Sequence, residues 1–82
     1  MTREEVYTKL LPVFKDVFDD RRIKIDDSTT ASDIVGWDSL MHIQLIAAVQ
    51  DEFEIDFAVE DAYNLKNVGA LVDLIMKAVQ EG

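Results

Sequence analysis

Apolar residues return at helical spacing from the start of the chain: Val6, Leu10, Val13, Phe14 and Val17 share one face, and Tyr7, Leu11 and Phe18 widen it. Thr2 and Glu5 stand in the T-x-x-E spacing of a capping box, with Met1 and Val6 placed as the hydrophobic staple around it. Pro12 removes a backbone donor and disfavours helical geometry at Leu11, which predicts a kink or a tightened turn. The apolar stripe continues past it, so one helix is expected rather than two.

The period then stops. Residues 19–38, DDRRIKIDDSTTASDIVGWD, have no helical repeat and are too many for an ordinary connection. They predict an ordered loop folded back over the core, anchored by Ile23, Ile25, Ile34, Val35 and Trp37. Its Asp clusters do not set oxygen ligands at EF-hand positions around a central glycine, so they read as solvated turns.

Helical spacing resumes from Asp38 to about Glu54. Leu45, Ile46, Val49 and Phe53 form one apolar line, and Leu40, Ile43 and Ala47 form a second. A second line means either a helix buried in the middle of a bundle or a row exposed for contact, and the pattern alone leaves both open. Residues 55–66 have room for a short helix near Ala58–Asn64. Asn67 then stands as the N-cap of a last helix, with Val68, Leu71, Val72, Ile75 and Val79 on one face and Leu74 and Ala78 broadening it. The predicted fold is all-α: a small four-helix bundle of three main helices and a short third one, with the long loop between the first and second. It forms a single domain over residues 1–82.

Composition narrows what such a bundle can do. A chain of 82 residues buries about 60% of its unfolded surface, so its core must be tight. Hydrophobic residues make up 49% of it and cysteine is absent, which leaves apolar packing, not disulfides or thiolate–zinc sites, to hold it together. The lone His42 cannot form a metal site by itself. Asp and Glu outnumber Lys and Arg by 17 to 8, for a net charge of −9. That charge opposes nucleic acid and anionic membrane surfaces and favours basic protein surfaces, besides aiding solubility. No stretch approaches the ~18 apolar residues of a membrane span. The start, MTREEVYTKLL, has acids where a signal peptide needs a basic and then an apolar run. A monomeric cytosolic protein is expected. No nucleophile–base pair, H-E-x-x-H motif or Gly-rich phosphate loop suggests an enzyme.

The candidate chemistry lies in residues 36–45, GWDSLMHIQL. Ser39 opens the second helix, where unpaired N–H groups and the helix dipole favour an attached phosphate. Asp38 is placed to cap that helix, and its charge would compete somewhat with such a phosphate. Taken alone, Asp38 and Ser39 read equally as ordinary helix-start residues.

The wider pattern is more specific. A long loop, then G-W-D-S-L, then Ile43 and Leu45, then the acidic QDEFEID closing the helix: over essentially the whole chain this resembles the acyl carrier protein family. The resemblance implies a 4′-phosphopantetheine arm on the motif serine, here Ser39, transferred from coenzyme A by a magnesium-dependent phosphopantetheinyl transferase. The arm's thiol would carry acyl groups as thioesters, which gives a cysteine-free protein its sulfur chemistry. Such a protein is a carrier, not a catalyst. Its partners are acyl-loading and acyl-processing enzymes with basic docking surfaces, and in many relatives the bundle interior shelters the chain. The residues expected to meet partners are Leu40, Met41, Ile43, Gln44, Ala47, Asp51, Glu60 and Asp61.

The chain also departs from the family pattern. Met41, His42 and Gln44 stand where relatives from fatty-acid synthesis often carry Asp, Thr and Glu. Negative charge is displaced to Asp51, Glu52, Glu54, Asp56, Glu60 and Asp61, which predicts a specialised carrier with dedicated partners. The capping box at Thr2 and the finish at Gly82 are read as the ends of a free-standing protein. His42, three residues after Ser39 on the same side of the helix, is expected to face solvent without a task, the alternative being an imidazolium near the phosphodiester. Trp37 is expected to anchor the loop near the helix start. The cargo stays open among fatty acyl, polyketide and other acyl groups. A peptidyl or aminoacyl carrier is one alternative, and an unmodified helical adaptor for basic partners another.

Overall fold

The computed structural model describes residues 1–81, apart from the side chain of Glu81. Four helices follow one another, α1 (Arg3–Val17), α2 (Ser39–Phe53), α3 (Val59–Tyr63) and α4 (Val68–Glu81), with a 3-10 turn at Ala31–Asp33 in the first connection. There is no strand among the described residues, so the all-α bundle with a short third helix is the observed architecture.

The helices form where the apolar stripes predict and are closed by local chemistry. Thr2 Oγ1 accepts from the Glu5 N–H at 3.1 Å and Glu5 Oε1 accepts from the Thr2 N–H at 2.9 Å, a complete capping box. The helix α1 runs through Pro12, which lies on the exposed side. At the far end of α2, Glu54 takes the left-handed conformation at φ 55° and its N–H donates to the Gln50 carbonyl. Asn67 caps α4, its Oδ1 accepting from the Ala70 N–H at 2.8 Å.

The three long helices meet in one core. Val6, Leu10 and Phe14 of α1, Leu45 and Val49 of α2, and Val68, Leu71, Val72 and Ile75 of α4 are essentially sealed from solvent. The short α3 contributes one buried residue, Ala62.

The long connection is ordered by contacts at both ends. Ile23 and Ile34 are buried in the core and Ile25 packs partly against it. The Trp37 ring meets Phe14 edge-on, with centroids 5.5 Å apart, and lies 5.7 Å from Phe18. Arg3 clamps the middle of the connection, donating to Asp27 at 2.8 Å and to Asp73 of α4 at 2.6 Å. Tyr7 donates its hydroxyl to the same Asp27 carboxylate.

Val35 departs from the expected anchoring. It is 97% exposed, while its neighbour Ile34 is buried. The two lie in a bend leading to Gly36, whose φ of +88° suits glycine. A chain turning this sharply directs one of two adjacent aliphatics inward and sends the other into water.

Candidate functional site

The bend at Gly36 sets up the start of α2. The Asp38 N–H donates to the Gly36 carbonyl at 3.0 Å, holding the chain just before the helix. Asp38 is the N-cap: its Oδ1 accepts from the Met41 N–H at 2.9 Å, and its carbonyl accepts from the His42 N–H at 2.9 Å. Ser39 is thus the first residue of a 15-residue helix, and it is exposed.

Beside Ser39 lies an open groove of about 400 Å³, walled by Ala31, Trp37, His42, Ile43, Tyr63 and Leu65. Its lining is largely apolar and aromatic, and it reaches from the loop across α2 to α3. The two readings of the second apolar line are separated here. Leu40 is 65% exposed, Ile43 is 49% exposed, and Ala47 is exposed as well. The row faces solvent, on the side of α2 away from Leu45 and Val49. Gln44, Asp51, Glu60 and Asp61 are also exposed, and Met41 is half-buried.

Val35 before the helix, expected as an anchor, is exposed, and so are Val59 and Tyr63 on α3, which the sequence does not single out. Only Tyr63 had a signal available, as an aromatic on a helix too short to bury both its faces.

His42 does not face solvent without a task. It is half-buried, and both ring nitrogens are engaged. The Trp37 indole N–H donates to His42 Nδ1 at 3.0 Å, and His42 Nε2 lies 2.8 Å from the Ala62 carbonyl oxygen. An indole N–H can only donate and a carbonyl can only accept, so the proton belongs on Nε2 and Nδ1 is the acceptor. The rings of Trp37 and His42 are nearly parallel, with an interplanar angle of 14° and centroids 5.9 Å apart, and meet edge to edge through the indole N–H bond, while Tyr63 lies 5.7 Å away on α3. The imidazolium beside a phosphodiester does not describe this ring either, since its polar atoms point to Trp37 and Ala62. Trp37 is the loop anchor expected.

The site fits a flexible arm attached through a hydroxyl. Ser39 offers an exposed oxygen at the N-terminus of a long helix, where a phosphate is stabilised by the dipole. The groove next to it has Trp37, Ile43, Tyr63 and Leu65 as apolar walls. Among the described residues no three His, Asp or Glu side chains cluster to hold a metal ion. Among the described residues no helix is long and apolar enough to cross a membrane.

Comparison with known proteins agrees with this geometry. A family model described as "Phosphopantetheine attachment site" matches residues 8–75. The acyl carrier proteins of three Clostridium perfringens strains are each 30% identical over 76 residues, covering 93% of this chain and all of theirs. The solution NMR structure of a holo acyl carrier protein from Geobacter metallireducens superposes with a TM-score of 0.86 at 41% identity, covering 93% of this chain and 87% of that one. With its fold and most of its length matched in this way, the chain belongs to the acyl carrier protein family, helical carriers that bear a covalent 4′-phosphopantetheine.

Proposed function

We propose that Ser39 is the attachment point of the arm and that the protein presents acyl groups to a dedicated set of biosynthetic enzymes. One observation carries the reading: Ser39 is the exposed first residue of α2 and borders a groove that joins the loop, α2 and α3. The arm supplies a terminal thiol, on which acyl groups are held as thioesters.

Attachment is a phosphoryl-group transfer carried out by a phosphopantetheinyl transferase. Ser39 Oγ bonds to the pantetheine-bearing phosphorus of coenzyme A, and the pyrophosphate P–O bond breaks. Adenosine 3′,5′-bisphosphate leaves, and the hydroxyl proton goes to a base on the transferase. Asp38 holds the helix start in place during this step through its bond to the Met41 N–H.

Partners read the surface that begins at Ser39. Leu40, Ile43 and Ala47 supply an exposed apolar row, with Met41 and Gln44 beside it. Asp51, Glu60 and Asp61 supply negative charge farther along, suited to partners with basic docking surfaces. The start of α2 is nearly neutral at Met41, His42 and Gln44, which is the basis for expecting dedicated partners rather than the general enzymes of fatty-acid synthesis.

Incubation with coenzyme A and a broad-specificity phosphopantetheinyl transferase tests the reading by intact mass. The native chain gains one phosphopantetheine and Ser39→Ala gains none. A native chain without added mass would leave the unmodified adaptor as the better account.

A further inference from the structure

We propose that His42 is a latch that holds α3 against α2 and keeps the carried acyl chain outside the bundle, in the groove beside Ser39. This rests on Ser39 being the attachment point.

The helix α3 walls the groove beside Ser39 through Tyr63, and it is the helix least secured by apolar packing. It has five residues, of which only Ala62 is buried. A helix so short leaves its last carbonyls without intrahelical donors. The Ala62 carbonyl finds its donor on another helix, at His42 Nε2, 2.8 Å away. The same residue thus supplies the apolar contact of α3 and the polar one.

The latch is braced from behind. Trp37 donates to His42 Nδ1 at 3.0 Å, while its own ring is wedged against Phe14 and Phe18 of the α1 side. Movement of His42 away from Ala62 therefore disturbs the loop and α1 as well. The far end of the seam has a second bolt: Gln50 Oε1 of α2 accepts from the Phe57 N–H at 2.9 Å, in the segment leading into α3.

Behind this seam the interior is filled. Leu45, Val49, Leu71 and Ile75 are each 1% exposed or less, and close-packed cores of this kind yield little room without rearrangement. The groove on the near side of His42 is open, apolar and already beside Ser39. A chain attached at Ser39 meets that groove first and reaches the core only when the His42–Ala62 bond is broken.

The test uses the whole protein loaded on Ser39 from acetyl- and octanoyl-coenzyme A, with loading confirmed by intact mass. Methyl and 1H–15N NMR spectra of the octanoyl and acetyl forms are compared within each variant, so that the effect of the substitution itself cancels. In the native protein the difference falls on Ile43, Leu65 and the Trp37 indole N–H, and the methyls of Leu45, Val49, Leu71 and Ile75 do not shift. In His42→Ala those core methyls shift with the longer chain, and His42→Gln, whose amide N–H again reaches Ala62, suppresses the response. Trp37→Phe keeps the aromatic wedge without its N–H and gives a smaller core shift of the same kind, which serves if His42→Ala does not fold. Core methyls that respond equally in the native protein and in the variants overturn the latch while leaving attachment at Ser39 intact. Absence of added mass overturns the attachment and the latch together.

Discussion

Gly69, in the first turn of α4, lies against the backbone of Asp27: a Cβ on Gly69 would stand 2.8 Å from the Asp27 carbonyl oxygen. That carbonyl accepts from the Gly69 N–H at 3.1 Å, and the Thr29 carbonyl accepts from the Val68 N–H at 2.8 Å. The long connection therefore caps α4 with its own backbone, occupying N–H groups that a helix start leaves without partners. Order in the connection and the position of α4 are one feature.

Gly69→Ala follows directly. In an unobstructed helix this substitution stabilises by about 1 kcal/mol. Here the methyl group meets backbone rather than a movable side chain, so the sign reverses and stability falls by roughly 1–3 kcal/mol. Urea denaturation reads the change as a lower midpoint. A midpoint above that of the native protein would mean that Asp27 is free to move aside.

Acid weakens the same clamp. The Asp27 carboxyl is held below its ordinary value of 3.8, first by the hydrogen bond from Arg3 and then by the one from Tyr7. A carboxylate lowered in the folded state stabilises the fold fully above its unfolded value, and that contribution disappears as pH falls through the folded one. Asp26, bonded by Ser28, and Glu5, bonded by Thr2, are lowered as well and act with the same sign. Thermal stability is therefore expected to fall as pH drops below about 4. Asp27→Asn is less stable near neutrality and falls less steeply in acid. Melting curves for the two proteins with identical acid slopes would contradict the clamp.

These contacts also mark where the sequence stops being informative. The stripes through Leu10, Leu45 and Leu71 are legible because a helix converts spacing into a face, and the caps at Thr2, Asp38 and Asn67 are legible because each partner is three residues away. His42 is bonded to a carbonyl 20 residues on, and a backbone acceptor has no side-chain type by which to recognise it. Gly69 is similar: its need for a missing side chain arises from Asp27, on a segment without a repeat. Val35 shows the other limit. Outside regular structure, apolar character carries no direction, and only the bend at Gly36 decides that Ile34 turns inward. The position of Ser39 at the helix start was legible, while the aromatic wall beside it was not, because Trp37, His42 and Tyr63 come together only after folding.

The cap at Asp38 gives a prediction that separates its geometry from its charge. Asp38→Ala loses the acceptor for the Met41 N–H and destabilises by about 1 kcal/mol. Asp38→Asn keeps an acceptor oxygen at the same position and stays within a few tenths of native stability. Equal losses in both variants, by chemical denaturation, would show that charge rather than capping is what the residue contributes.

Glu54 ends α2 in a conformation that a side chain opposes, at φ 55° and ψ 49°. Glycine has no Cβ to crowd the neighbouring carbonyl, so Glu54→Gly is expected to stabilise by about 1 kcal/mol. Glu54→Ala removes the charge but keeps the Cβ, and it should show no such gain. If both variants raise the denaturation midpoint alike, the gain is electrostatic and the backbone account fails.

Gln44 offers the most direct test of why this carrier should have its own partners. It is exposed on α2 beside the apolar row of Leu40, Ile43 and Ala47, at a position where a charge can be added without disturbing the core. Gln44→Glu adds one negative charge to a nearly neutral stretch, and a basic docking surface a few ångströms away gains on the order of 0.5–1 kcal/mol of attraction in water. Its rate of association with a general fatty-acid ketosynthase should therefore rise roughly two- to fivefold at low salt. The gain should shrink as the Debye length falls to about 3 Å near 1 M salt. Thermal stability is expected to be unchanged, which separates an effect on encounter from one on folding. An association rate insensitive to the substitution at low salt would show that charge at the start of α2 does not govern partner choice, and that discrimination lies in the apolar row itself.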